Sequence, residues 1–116
     1  MQEHKVFLTY EAMYDIVDAE EYINYQFGEQ RAYKYHNDIF KEFVRLSNIG
    51  TIFSPTNCVY RGYTIFKKSF SPAIIFWIVK EDGIHILRVT REEYDWQGFF
   101  DSHQDYEYTY PETPFL

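Results

Sequence analysis

A chain of 116 residues has room for one ordinary domain, and its 46% apolar and 25% charged residues exclude disorder, collagen and coiled coil. The net charge of −7 means that the chain, taken whole, repels phosphate backbones and anionic lipid. An aromatic share of 22% is high for so small a chain and supplies bulky rings for a core.

Residues 5–9, Lys-Val-Phe-Leu-Thr, read as a first strand. Thr9 then N-caps a helix, with Glu11 in the first turn where an acid suits the helix dipole. Ala12, Ile16, Ala19, Ile23 and Phe27 form one apolar stripe, and Gly28 stops the helix. A second stripe runs through Ala32, Tyr35, Ile39, Phe43 and Leu46 and stops at Gly50. The short link at Gly28 and Glu29 predicts an antiparallel helix hairpin.

Residues 54–57 read as a loop, 59–67 as a strand and 68–72 as the next connection. Residues 73–79, Ala-Ile-Ile-Phe-Trp-Ile-Val, are apolar on both faces and predict a central, covered strand. Asp82-Gly83 marks a hairpin into a last strand over 84–90. In that strand simple alternation puts Ile84, Ile86 and Arg88 on one face and His85, Leu87 and Val89 on the other. Residues 91–100 predict a short helix. Residues 1–100 are expected to be one domain, and 101–116 an acidic, aromatic tail. In that tail Tyr106, Tyr108 and Tyr110 alternate as an extended segment does. The fold class is α+β: an N-terminal strand, an antiparallel two-helix hairpin on one face of a mostly antiparallel sheet, a short C-terminal helix and a tail. The tail's tyrosine face is expected to lie back on the domain, bringing Asp101, Asp105 and Glu107 toward the basic sheet.

This order, with the residues it carries, resembles the RelE/ParE superfamily of bacterial toxins from type II toxin–antitoxin systems. The stretches that carry it are Leu8-Thr9-Tyr10-Glu11-Ala12 with Asp15-Ile16 and Tyr22-Ile23, Tyr60-Arg61, and residues 73–79. The last is Gly83-Ile84-His85-Ile86-Leu87-Arg88-Val89 running into Tyr94-Asp95-Trp96, which is most similar to the ParE branch. The resemblance implies a growth-inhibiting toxin of the plasmid-stabilisation type, held by a cognate antitoxin. In the ParE branch the target is DNA gyrase and the toxin performs no chemistry. In the RelE branch the target is mRNA on the ribosome, cut by basic side chains on the sheet. The Arg that RelE ribonucleases often carry at the start of the central strand falls here at about Ala73, and Val89-Thr90-Arg91 stands where some relatives end in His-Tyr. A degenerate, non-toxic member that only pairs with its antitoxin is a third reading.

Metal-independent RNA cleavage needs a base, a cation for the phosphorane and an acid. Arg61, Lys67, Lys68, Arg88 and Arg91 are the candidate cations, and Tyr94, His85 or Glu92 the candidate acid or base. His85 shares its predicted face with Leu87 and Val89, which points to a packed imidazole. Trp77 is expected in the core and Trp96 to pin the last helix to the sheet. Residues 1–60 carry five basic and nine acidic side chains, 61–91 six and two, and 92–116 none and seven, so a basic sheet sits within an acidic chain. No metal-ligand spacing and no phosphate-cradling glycine loop occurs, so neither metal nor cofactor is expected. The single cysteine, Cys58, reads as a buried thiol, which together with the lack of an apolar leader predicts a cytoplasmic protein. The apolar run at 73–79 is too short for a membrane span, which needs ~20 residues. Expected partners are an antitoxin, gyrase or the ribosome with its mRNA, and a second copy as a homodimer.

Overall fold

The computed structural model describes residues 4–49 and 55–116. The elements are β1 (Val6–Leu8), α1 (Tyr10–Phe27), α2 (Glu29–Ile49), β2 (Pro55–Tyr60), β3 (Tyr63–Phe70), β4 (Ala73–Lys80), β5 (Gly83–Arg91) and α3 (Trp96–Ser102). Thr9 does two jobs at the start of α1. Its Oγ1 accepts from the Ala12 N–H at 2.9 Å, which caps the helix, and donates to the Leu87 carbonyl at 2.9 Å, which ties the cap to β5. Gly28 ends α1 at φ +97°, a conformation that side chains resist, and α2 starts at the next residue. The expected stop at Gly50 and the start of the expected loop at Ser54 lie outside the described residues.

The five strands lie in the order β1-β5-β4-β3-β2, antiparallel except for β1 beside β5. β4 is interior to the sheet, and Ala73 to Ile78 are all buried. The reason is the cover on both faces. Ile16, Ile23, Phe43 and Leu46 of the hairpin pack on Ile75, Trp77, Ile84 and Ile86. On the opposite face Ile65, Ile74, Phe76, Ile78 and Leu87 lie under Phe100 of α3 and Tyr108 of the tail. Burying one such side chain contributes on the order of 1.5–3 kcal/mol.

Five expectations are corrected. Residues 55–57, expected as part of a loop, are the first half of β2. The single strand at 59–67 is two strands, because Arg61 (φ +49°) and Gly62 (φ +87°) make the left-handed pair of a tight hairpin turn. The connection at 68–72 shrinks to a turn, because β3 continues to Phe70 in register with Ala73. The last helix runs over 96–102 and not 91–100: β5 continues through Arg91, and Asp95 caps α3 by accepting from the Gly98 N–H. Finally, the faces of β5 change partway. Phe76 sits opposite Arg88 and Trp77 opposite Ile86, so Leu87 is an extra residue in a bulge. A bulge inverts the alternation beyond it. Val89 therefore joins Ile84 and Ile86 under the hairpin, while Arg88 reaches the α3 side, where it meets the Phe99 ring.

The tail lies back on the folded chain, as its tyrosine pattern predicts, but its acids do not direct it. The Arg61 guanidinium donates to the backbone carbonyls of Gln104, Asp105 and Tyr106. Glu11 accepts from the Thr109 N–H at 3.0 Å, from the Thr109 hydroxyl and from the Tyr106 hydroxyl. Tyr108 is buried, whereas Tyr106 and Tyr110 stay about 40% exposed, at 41% and 38%.

Candidate functional site

β1 pairs with β5 only as far as Leu8 opposite Ile86, which leaves the rest of the β5 edge to be satisfied by side chains. Asp15, in the second turn of α1, meets that need. Its Oδ2 accepts from the Val89 N–H at 2.9 Å, and its two oxygens accept from Arg88 Nε at 2.6 Å and Nη2 at 2.8 Å. Burial works against the Arg88 charge, but the Asp15 hydrogen bonds and charge outweigh it and hold the guanidinium above its usual value. Arg88 is thus a structural cation as well as a candidate contact.

The other candidate cations separate across the sheet. Lys67 and Lys68 are neighbours in β3 and therefore point to opposite faces. Lys67 faces α3, its ammonium 5.0 Å from the centroid of the Trp96 ring. Lys68 faces the hairpin and pairs at 2.6 Å with Glu42 of α2, whose side chain is only 7% exposed. Arg91, at the far end of β5, stacks at 3.9 Å on the Tyr22 ring and pairs with Glu93 at 2.7 Å. Arg61 holds the tail at the opposite end of the sheet. Of the six residues singled out, Lys67, Arg88 and Tyr94 lie on the α3 side. There Arg88 and Tyr94, with Thr90, Trp96 and Phe99, line a cavity of about 480 Å³, adjoining Lys67 through the Trp96 ring. Thr90 Oγ1 is buried in that region without a hydrogen-bond partner among the described residues.

His85 is packed, as its neighbours predict: it is 5% exposed and stacks on Phe7 at 4.7 Å. Its Nε2 faces Asp82 Oδ1 at 2.7 Å and its Nδ1 faces the Tyr110 hydroxyl at 2.9 Å. A carboxylate only accepts, so in the neutral ring Nε2 carries the proton and Nδ1 accepts from Tyr110. Both nitrogens are used, and the ring serves as a latch between the β4–β5 turn and the tail. Burial pushes the buried Cys58 thiol up, and the nearby Asp101 charge adds to it, so it is held protonated and is a poor nucleophile. Ala73, where the RelE resemblance implies an Arg, is fully buried under the hairpin. No cluster of three or more possible metal ligands occurs among the described residues. No described helix is long and apolar enough to cross a membrane.

Sequence reasoning missed two features. The first is the counter-ions Asp15 and Glu42, which are distant in sequence from Arg88 and Lys68 and are visible only once the hairpin docks. The second is the outer face of the hairpin. Tyr14, Tyr25 and Tyr33 are 68%, 87% and 69% exposed, and Phe27, expected in the core stripe, is 58% exposed. The three tyrosines lie off the buried stripes, a signal present in the helical periodicity, whereas Phe27 is in phase with its stripe at the last position of α1. A groove of about 420 Å³ runs between the helices there, lined by Val17, Asn24, Ala32, Tyr33 and His36 among others.

No protein-family model matches the sequence, and no curated protein matches it. Among solved structures, the fold is similar to a chain of the chromosomal ParDE TA system from P. aeruginosa. The TM-score is 0.65 at 21% sequence identity, over 78% of this chain and 98% of that one. The α+β fold implied by the RelE/ParE resemblance is the fold observed.

Proposed function

We propose that this chain is the toxin of a type II toxin–antitoxin pair, of ParE type, that works by binding its target and is neutralised by a cognate antitoxin. The observation that carries this reading is the fold match, which leaves almost none of the ParDE chain uncovered. A shared fold does not by itself assign a function, so the site must support the reading too, and it does so in two respects. Three of the candidate cations are committed to structural partners: Arg88 to Asp15, Lys68 to Glu42 and Arg61 to the tail carbonyls. Cations held in such pairs do not converge on one phosphate with a base and an acid, which is what cleavage of RNA requires. The hairpin, in turn, presents exposed aromatics, the residues that protein partners use, and one of them, Tyr33, lines a groove that also carries Glu20, Glu21 and Glu29.

On this reading the antitoxin covers the hairpin, and the target, DNA gyrase by the ParE resemblance, meets the α3 side at Lys67, Arg88 and Tyr94. The protein acts in the bacterial cytoplasm. Induced expression in a bacterium tests it. The expected result is growth arrest, relieved by co-expression of the cognate antitoxin, without new 5′ ends in primer extension on translated mRNA. New ends at ribosome-bound codons would replace it with the endonuclease reading. Unimpaired growth would leave a non-toxic antitoxin-binding member.

A further inference from the structure

The closed end of the helix hairpin meets the β3–β4 turn. Ile23 and Phe27 belong to one apolar stripe of α1, yet Ile23 is buried while Phe27, one turn further on, is mostly exposed. Phe27 forms one wall of a cleft of about 410 Å³, with Tyr22, Ile23, Phe70 and Pro72 among its other walls. That volume lies in the range of small-molecule sites, which are apolar and aromatic with a few placed polar groups. The cleft shares no lining residue with the cavity on the α3 side or with the groove on the hairpin's outer face.

Two polar groups of this cleft lack partners. Arg31 and Tyr35 stand one helical turn apart on α2 and so share a face. The Arg31 guanidinium lies 5.1 Å from the centroid of the Phe27 ring, and no carboxylate pairs with it among the described residues. The other cation of the lining, Lys34, is neutralised by Asp38 at 2.5 Å. Tyr35 is the one buried polar residue of the lining, and its ring centroid lies 5.5 Å from that of Phe70. Its hydroxyl is buried and has no hydrogen-bond partner among the described residues. Burial, with the charges of Glu20 and Asp15, holds that phenol well above its usual value, so it stays protonated and offers a donor. A buried donor without an acceptor is costly. One unpaired guanidinium and one free hydroxyl match a monoanion with two acceptor oxygens, and the aromatic walls match an apolar body.

We propose that this cleft is a binding site for a small organic carboxylate whose body is an aromatic ring or a branched apolar chain. The carboxylate accepts from the Arg31 guanidinium and the Tyr35 hydroxyl, and the body packs between Phe27 and Phe70. The walls come from α1, α2 and the β3–β4 turn, so an occupant fastens the closed end of the hairpin to the sheet. Nothing in the proposal depends on the toxin reading, and its test involves neither antitoxin nor target; failure of either leaves the other in place.

Titration of the full chain with phenylpropionate and with isocaproate, followed by backbone amide NMR, tests the site. At least one of the two is expected to saturate by ~10 mM, as ligands of this size can, with shifts at Ile23, Arg31, Tyr35 and Phe70. Phenylpropionamide, which keeps the body and lacks the charge, should bind at least tenfold more weakly than phenylpropionate. Arg31→Ala, at an exposed position, should weaken the carboxylate at least fivefold. Tyr35→Phe removes only the hydroxyl. Without ligand it should melt no lower than the parent chain, and with ligand its midpoint should rise less than the parent's. Absence of saturable binding by both carboxylates, an amide that binds as tightly, or an affinity unchanged by Arg31→Ala would each overturn the proposal. So would a Tyr35→Phe variant that melts lower than the parent or gains as much from the ligand.

Discussion

Asp15 accepts hydrogen bonds from Arg88 and from the Val89 backbone, and both partners lose theirs if it is truncated. Asp15→Ala leaves a mostly buried guanidinium without its counter-ion and an edge N–H without an acceptor, and is expected to cost about 3 kcal/mol. Arg88→Ala leaves the Val89 bond in place and should cost less, by ~1 kcal/mol or more. Urea unfolding of the two variants checks the order, and equal losses would contradict the edge-capping role. Glu11 offers a second test. Burial alone would raise it, but hydrogen bonds from Tyr106 and Thr109 outweigh burial and hold it below its usual value. A carboxylate depressed in the folded state stabilises fully above its unfolded value near 4.5 and loses that contribution as pH falls through the folded value. The stability difference between the parent chain and Glu11→Gln should therefore be constant above about pH 5 and shrink as the pH is lowered further. A difference independent of pH down to 2 would remove Glu11 as the holder of the tail. At this scale the Thr9 cap was legible in the sequence, because a cap is a local pattern. The Asp15–Arg88 pair was not, since its members lie 73 residues apart and the bulge at Leu87 reverses the face on which Arg88 emerges.

Element by element, legibility follows the length of the pattern. α1 and α2 span 18 and 21 residues, long enough for a 3.6-residue period to declare itself. β4 was legible because burial on both faces requires an unbroken apolar run. β2 and β3 were merged because Arg61-Gly62 does not carry the Asn-Gly or Asp-Gly signature of a tight hairpin, although its geometry is the same. The join between β1 and β5 depends on one glycine. Gly83 adopts φ +143°, and a Cβ there would run into the Lys5 carbonyl, which accepts from the Ile84 N–H at 2.8 Å. Gly83→Ala is expected to cost about 1–3 kcal/mol and to speed exchange of the Ile84 amide. A thermal midpoint equal to the parent's would contradict this account of the β1–β5 join.

For the whole molecule, the charge partition in the sequence located the cations in the sheet but not their use. Strand alternation and the bulge distribute them over two faces, and α1, α2 and the tail supply partners that no local pattern reveals. What remains accessible on the α3 side is Lys67 beside Trp96, with Arg88 and Tyr94 close by. Lys67 is exposed, so Lys67→Ala should leave the thermal midpoint within about 2 °C of the parent while weakening target engagement. Unchanged engagement in the folded variant would move the target surface elsewhere. The most direct test of the central claim, a toxin that binds and does not cleave, is supercoiling of relaxed plasmid by DNA gyrase and ATP with the purified chain added in increasing amounts. Progressive loss of supercoiled product as the chain approaches and exceeds the gyrase concentration is the predicted result. Full supercoiling at a large molar excess of folded chain would contradict it.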